Sequence, residues 1–434
     1  MNKNVAYKWL IFLMMMTSSF VVLQAWGRTF FLLLQVVFCG ILLCSEKKLH
    51  FLKSRTVNFF FISYLLCTFS SYISNIPYSY KKAAVIMAIY MIPLYFTISY
   101  LYSMFKKDEK ILQILVKGLK AMCMIQLIWV LLQYVVYNFI GLDINQKIFV
   151  EILKCVDNAS FIRDWKWYPS GLSWHSAILA PMFVIAFVLF KNIYVRVLII
   201  IDAFICGNST AVVGVCLCIL ILLFFYLSKN KDRITIRKKQ LALMGIIAVI
   251  GGSVAYKMGL FELVITKFVF LLQRIFASQK DASTAAHFAY FTDYDTVLKN
   301  STLLQFLFGY GQGCSGYPYS VLYNRYTDIA NWAVECDVIN ILVSRGLYGF
   351  ITHYYLLFYI CFKGIKIDYR YAAVVIPIII QGIGYNVQWD YIIFVELILF
   401  LTIRLKINFF DINNKNALID RKEKRNGFGC HDHL

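Results

Sequence analysis

Apolar runs of roughly 20 residues recur along the chain, and no other feature limits the fold as tightly, since each is long enough to cross a bilayer. They begin near Trp9, Thr29, Val57, Ala83, Ala121, Gly171, Tyr194, Thr210, Leu241, Val338, Tyr371 and Tyr391. In hydrocarbon every backbone N–H and C=O must be satisfied within the protein, so such runs read as transmembrane α-helices. The chain has 434 residues, 60% of them hydrophobic. It is expected to be an all-α polytopic membrane protein with about twelve spans. The first run follows MNKNVAYK without a small-residue cleavage site and reads as a retained span.

A net charge of +20 would suit nucleic-acid binding if the cations shared one soluble face. They lie instead in short segments between apolar runs, as topology signals do. Charge also resolves the run from Val197 to Leu227, which is long for one helix and short for two. As one helix it would put SEKKLHFLKSR and SKNKDRITIRKKQ on opposite sides of the membrane, against the positive-inside bias; two helices meeting at GNST restore the pattern. Both termini are then cytoplasmic. Residues 1–405 form one transmembrane domain with long periplasmic loops at about 141–170 and 258–337, and 406–434 form a basic tail. The 12 cysteines are scattered, mostly inside apolar runs, with no CxxC pair and no metal-ligand spacing.

Chemistry is expected in the two long loops. The stretch NWAVECDVINILVSRGLYG, from Asn331, puts Glu335, Asp337 and Arg345 where a span enters the membrane. On a helix Asp337, Asn340 and Ser344 share a face. Two readings stand: solvated acids with Arg345 snorkelling or paired to Asp337, or a polar stripe lining a water-filled cavity. The first loop supplies RDWKWYPSGLSWHSAILAP, with Arg163, Lys166 and His175 among Trp165, Trp167, Tyr168 and Trp174. Such rings stack on sugars and such cations neutralise phosphates, although Trp and Tyr also form belts at membrane surfaces. The second loop opens with MGLFELVITKFVFLLQRIF, where Glu262, Thr266 and Gln273 share a face beside Lys267 and Arg274, as in an interfacial helix. His287, Asp293, Asp295 and Arg325 follow, with the turn-rich FGYGQGCSGYPYS. GYGQGC lacks the Lys and Ser or Thr of a phosphate-binding loop and reads as a turn. Asp202 sits inside a span, as an ion site or a tie between helices.

The order YPSGLSWHSAILAP, GNSTAVVG, DASTAAHFAYFTDYDTVL, LFGYGQG and ECDVINILVSRGLYGF resembles the O-antigen polymerase (Wzy-type) and O-antigen ligase family of bacterial inner membranes. The resemblance runs from about Arg163 to Phe350. It departs at His287, where such polymerases commonly carry arginine, and near His175, where an acid can stand. Ligases tend to carry a histidine where this chain has Glu335 and Asp337, which favours the polymerase. The resemblance implies a fold related to the GT-C membrane glycosyltransferases and an undecaprenyl-diphosphate-linked oligosaccharide as donor. It implies no metal or other cofactor; membrane lipid and a chain-length regulator protein are the further partners, with no nucleic acid. On this reading Glu335 or Asp337 is the general base, and Arg163, Lys166, Arg274 and Arg345 bind diphosphate. His175 contacts substrate, and His287 takes over part of an arginine's task. The alternatives are a ligase or a lipid-linked oligosaccharide flippase, for which Asp202 is the main feature.

Overall fold

The computed structural model describes residues 3–25, 27–163, 166–229, 289–323 and 334–411. These residues are mostly α-helical, and four of their helices are long and apolar enough to cross a membrane. The chain begins with α1 (Lys3–Met16), a short hairpin of β1 (Gln24–Ala25) and β2 (Arg28–Thr29), and α2 (Phe30–Glu46). Three long helices follow: α3 (Arg55–Ile73), α4 (Tyr78–Lys107) and α5 (Lys110–Ile140). Gly141 ends α5 in the left-handed region, with its N–H returned to the Tyr137 carbonyl. The first long loop is ordered as a π-turn (Gln146–Ile152) and a second hairpin, β3 (Ile162–Arg163) with β4 (Lys166–Trp167).

The run expected from Gly171 becomes helical only at a 3₁₀ turn (Ser176–Leu179) leading into α6 (Ala180–Leu189). The apolar stretch after it is two helices, α7 (Ile193–Ile205) and α8 (Ser209–Lys229). Gly207, at φ +64°, makes the turn between them. Small helices α9 (Tyr294–Lys299), α10 (Leu303–Phe308) and α11 (Gly316–Leu322) fold the described part of the second loop. The chain then forms α12 (Asp337–Gly364), α13 (Arg370–Gly384) and α14 (Asp390–Arg404). The run expected from Leu241 and the interfacial helix with Glu262, Thr266, Lys267, Gln273 and Arg274 lie outside the described residues.

Burial separates central helices from peripheral ones. Every residue of α6 is buried, and α14 is buried without interruption from Tyr391 to Ile403. A helix apolar on all sides belongs inside a bundle. α8, by contrast, exposes Leu220, Leu223 and Phe224, as a lipid-facing helix does. Small residues let helices approach closely: a Cβ on Gly118 of α5 would stand 2.7 Å from the Phe12 carbonyl oxygen of α1. α7 has 13 residues and α14 has 15, fewer than the roughly 20 of a full crossing. Local signals bound α7: the Asn192 side chain caps its start by accepting from Tyr194 N–H at 2.8 Å, and Gly207 turns the chain beyond its end.

Candidate functional site

The second loop and α12 meet at a break in the helix. Gly346 interrupts α12 with φ +64° and ψ −171°, which only glycine adopts without strain. The break frees the Val343 and Ser344 carbonyls from helical bonding. Tyr310 N–H donates to Val343 O at 2.8 Å, and Gly311 N–H donates to Ser344 O at 2.9 Å. The GYGQG turn is thus docked into the helix like a plug. A Cβ on Gly346 would come within 2.5 Å of the Gly309 nitrogen, so both partners of this contact must be glycine-like in bulk. Ser70 of α3 closes the third side, its hydroxyl donating to Gly309 O at 2.6 Å.

The polar stripe expected along α12 exists, but protein groups fill it rather than a water-filled cavity. Ser315 Oγ donates to Asn340 Oδ1 at 2.5 Å, and Ser344 Oγ lies 3.4 Å from Gln312 Oε1. Asp337 is 2% exposed. Its Oδ2 accepts from Val387 N–H at 2.9 Å and its Oδ1 from Gln388 N–H at 3.4 Å. The carboxylate therefore clasps the α13–α14 turn, and its place in the first turn of α12 suits the helix dipole. Glu335, two residues earlier, is exposed. The structure separates the two expected bases: one is a buried clasp, the other reaches the surface.

The same turn touches the first long loop. Tyr385 Oη lies 3.0 Å from His175 Nε2, while His175 Nδ1 accepts from Ala177 N–H at 3.0 Å. With Nδ1 occupied as an acceptor, neutral His175 carries its proton on Nε2 and donates it to the tyrosine oxygen. Trp174 and Trp389 meet edge to face at 6.1 Å. Residues 385–389 thus join His175 to Asp337.

Beneath this turn lies a group of buried, incompletely bonded side chains. Arg345 is 2% exposed, and its Nε and Nη1 have no hydrogen-bond partner among the described residues. Its guanidinium sits over the Tyr64 ring at 4.6 Å and the Phe60 ring at 5.4 Å. It neither snorkels nor pairs with Asp337. Both ring nitrogens of buried His353 are likewise unpartnered among the described residues. Glu396, 1% exposed, accepts from Gln388 Nε2 at 3.1 Å through Oε1 and leaves Oε2 without a partner there. A buried cation with open N–H groups is costly unless an anion or water meets it, so the arrangement suits an anionic ligand.

The remaining expected residues fall in several places. Arg163 and Lys166 are Cα partners across the β3–β4 hairpin, so the structure brings these two together. Lys166 is exposed and has no contact with Arg345 or Asp337 among the described residues. Trp167 stacks on Tyr137 at 4.0 Å and donates to Asp143 Oδ2 at 2.7 Å, and Tyr168 packs against Gly207; both hold the loop to the bundle. Trp174 remains 41% exposed. Trp165, Arg274, His287 and Arg325 lie outside the described residues. Asp202 is buried, with neither carboxylate oxygen partnered among the described residues. His353, Tyr385, Gln388, Trp389 and Glu396 are additions that sequence reasoning missed. Two carried a signal: His353 and Glu396 interrupt apolar runs, and an ionisable residue there marks a functional position by default. No protein-family model matches the sequence, and no curated protein matches it.

Proposed function

We propose that the chain is a membrane glycosyltransferase of the O-antigen polymerase type, joining lipid-diphosphate-linked oligosaccharide repeat units on the outer face of a bacterial inner membrane. On this reading the apolar runs make about twelve spans with cytoplasmic termini, in a fold related to the GT-C enzymes. One observation carries it: Arg345, buried with open N–H groups beside a helix break, at the meeting of sequence pieces more than 30 residues apart. A rigid fork of donors in a low-dielectric setting matches the oxygens of a diphosphate.

The acceptor hydroxyl oxygen attacks the anomeric carbon of the growing chain, and the bond from that carbon to the diphosphate oxygen breaks. The diphosphate leaves with the bonding electron pair, its charge met by Arg345, Arg163 and Lys166. The hydroxyl proton passes to Glu335, which is exposed and can reach a substrate. Asp337, with both oxygens engaged, positions the α13–α14 turn instead.

A transport reading has one observation in its favour: the unpartnered carboxylate of Asp202, which suits an ion or proton site in a flippase. The two readings separate on a gel of surface polysaccharide from a strain deleted for the gene. A polymerase predicts a single repeat unit on the lipid A core, with the ladder restored on complementation. Capped core absent while polymer accumulates on undecaprenyl diphosphate would identify a ligase. Loss of both, with repeat units trapped inside the cell, would identify the flippase.

A further inference from the structure

Beneath the α13–α14 turn an amide and a carboxyl group share one hydrogen bond, from Gln388 Nε2 to Glu396 Oε1 at 3.1 Å. Each group keeps a second oxygen, Gln388 Oε1 and Glu396 Oε2. Both are buried, and neither has a partner among the described residues. Two acceptors cannot satisfy one another. A carboxyl group that carries a proton has an O–H to donate, so a proton on Glu396 Oε2 gives the Gln388 oxygen a donor and pairs the two groups through a second hydrogen bond. As a carboxylate, Glu396 would be 1% exposed and held by a single amide N–H.

Asp337 shows what an ionised acid receives at this end of the bundle. It accepts from the backbone N–H groups of Val387 and Gln388 and stands in the first turn of α12. Gln388 therefore lies between two acids, its backbone on Asp337 and its side chain on Glu396. Asp337 has the donors of an anion, and Glu396 does not.

The neighbouring cation points the same way. Asp337 starts α12 and binds the turn that leads into α14, so both helices leave from one end. The two helices pack together. At 1.5 Å per residue Arg345 lies about 12 Å along α12 and Glu396 about 9 Å along α14. An ionised Glu396 at that depth would be the counter-ion of Arg345. Yet Glu396 Oε2 and the Nε and Nη1 groups of Arg345 all lack partners among the described residues. Besides Arg345, the titratable groups facing Glu396 are Asp337 and Tyr354 of α12 and Tyr64 of α3. α4, which also packs on α14, presents no charged group to it among the described residues.

We propose that Glu396 is a proton-binding site: it holds a proton on Oε2, donated to Gln388 Oε1, and by staying neutral it leaves Arg345 free for an anion. The proton site stands on the Gln388 geometry, and its consequence rests on the diphosphate reading of Arg345. Loss of the proton to solvent frees Oε2 to pair with Arg345, so Glu396 acts on the anion through the arginine.

The test uses the full chain in nanodiscs of phosphatidylethanolamine and phosphatidylglycerol. The infrared difference between wild type and Glu396→Gln at about pH 7 should contain the C=O stretch of one hydrogen-bonded neutral carboxyl group, shifted by exchange into heavy water. In Gln388→Leu that band should move to the higher frequency of a carboxyl group without an acceptor, a shift that decides the matter even if Glu396→Gln does not fold. No acid band lost in Glu396→Gln, or a band indifferent to Gln388→Leu, would overturn the proton site. Inorganic diphosphate then probes the consequence. Wild-type affinity should fall about tenfold as Glu396 ionises between about pH 7 and about pH 10, and Glu396→Gln should lack that fall. An equal fall in Glu396→Gln would overturn the link to Arg345. Diphosphate binding unchanged in Arg345→Gln would remove the reading of Arg345, while the infrared result decides the proton site by itself.

Discussion

Replacing Asp337 by asparagine tests whether this carboxylate is a clasp or a catalytic base. The aspartate accepts from Val387 N–H at 2.9 Å through one oxygen and from Gln388 N–H at 3.4 Å through the other. Asparagine keeps one acceptor and turns an NH₂ towards the other N–H. The bond given up is the longer one, so the loss lies near the low end of about 1.5–3 kcal/mol for hydrogen bonds to charged groups. A buried N–H left unpaired adds about 1 kcal/mol or more. Asp337→Asn is thus expected to cost about 2–3 kcal/mol of stability, and Asp337→Ala, which loses both bonds, about 4 kcal/mol. Glu335→Gln, at an exposed position, should cost less stability than Asp337→Asn. It should instead lower the transfer rate by about two to four orders of magnitude. Unfolding in mixed micelles titrated with SDS measures the first quantity, and polymer formed at matched amounts of folded protein measures the second. An Asp337→Asn protein as stable as wild type, yet inactive, would refute the clasp.

Three further outcomes follow from the geometry. Gly346→Ala must place a side chain at φ +64° and against the Gly309 backbone, so it should cost about 3 kcal/mol, read by the same unfolding assay. Arg345→Met removes a buried charge that has open N–H groups; stability should be unchanged or raised, as buried ions replaced by apolar groups often are, while the polysaccharide ladder is lost. Asp368, in the turn before α13, titrates below the usual carboxylate range: burial alone would raise it, but Arg370 at 2.5 Å and Asn408 at 3.0 Å outweigh that. Its folded value lies below its unfolded one, so its contribution is present above about pH 4 and is lost as pH falls through the folded value. Asp368→Asn should cost about 2 kcal/mol at pH 7. The variant should also lack the part of the acid destabilisation that wild type shows below about pH 4.

Much of the helical framework was legible because membrane helices announce themselves by length and apolarity. The break at Gly207 followed from charge placement alone, and α3, α4, α5 and α8 stand close to where hydropathy put them. Helix ends were less legible, since they depend on caps such as Asn192 and on the 3₁₀ turn at Ser176–Leu179. At the site, sequence spacing found Asp337 and Arg345 but misjudged their company. A periodic pattern shows which residues share a face of one helix; it does not show which backbone N–H from Val387 or Gln388 will meet that face. Gly346 reads as an ordinary glycine in VSRGLYG, and its positive φ emerges only once the GYGQG turn is packed against it. Glu396 and His353 are visible in the sequence as ionisable residues inside apolar runs, but no spacing there links either to Arg345 or to the α13–α14 turn.

The most direct test of the central claim is reconstitution of the purified chain with undecaprenyl-diphosphate-linked repeat units extracted from the strain lacking the gene. The account predicts products of two and more repeat units, with one undecaprenyl diphosphate released per bond formed, and loss of both in Arg345→Gln. Wild-type protein that leaves every repeat unit single, or Arg345→Gln protein that polymerises normally, would contradict it.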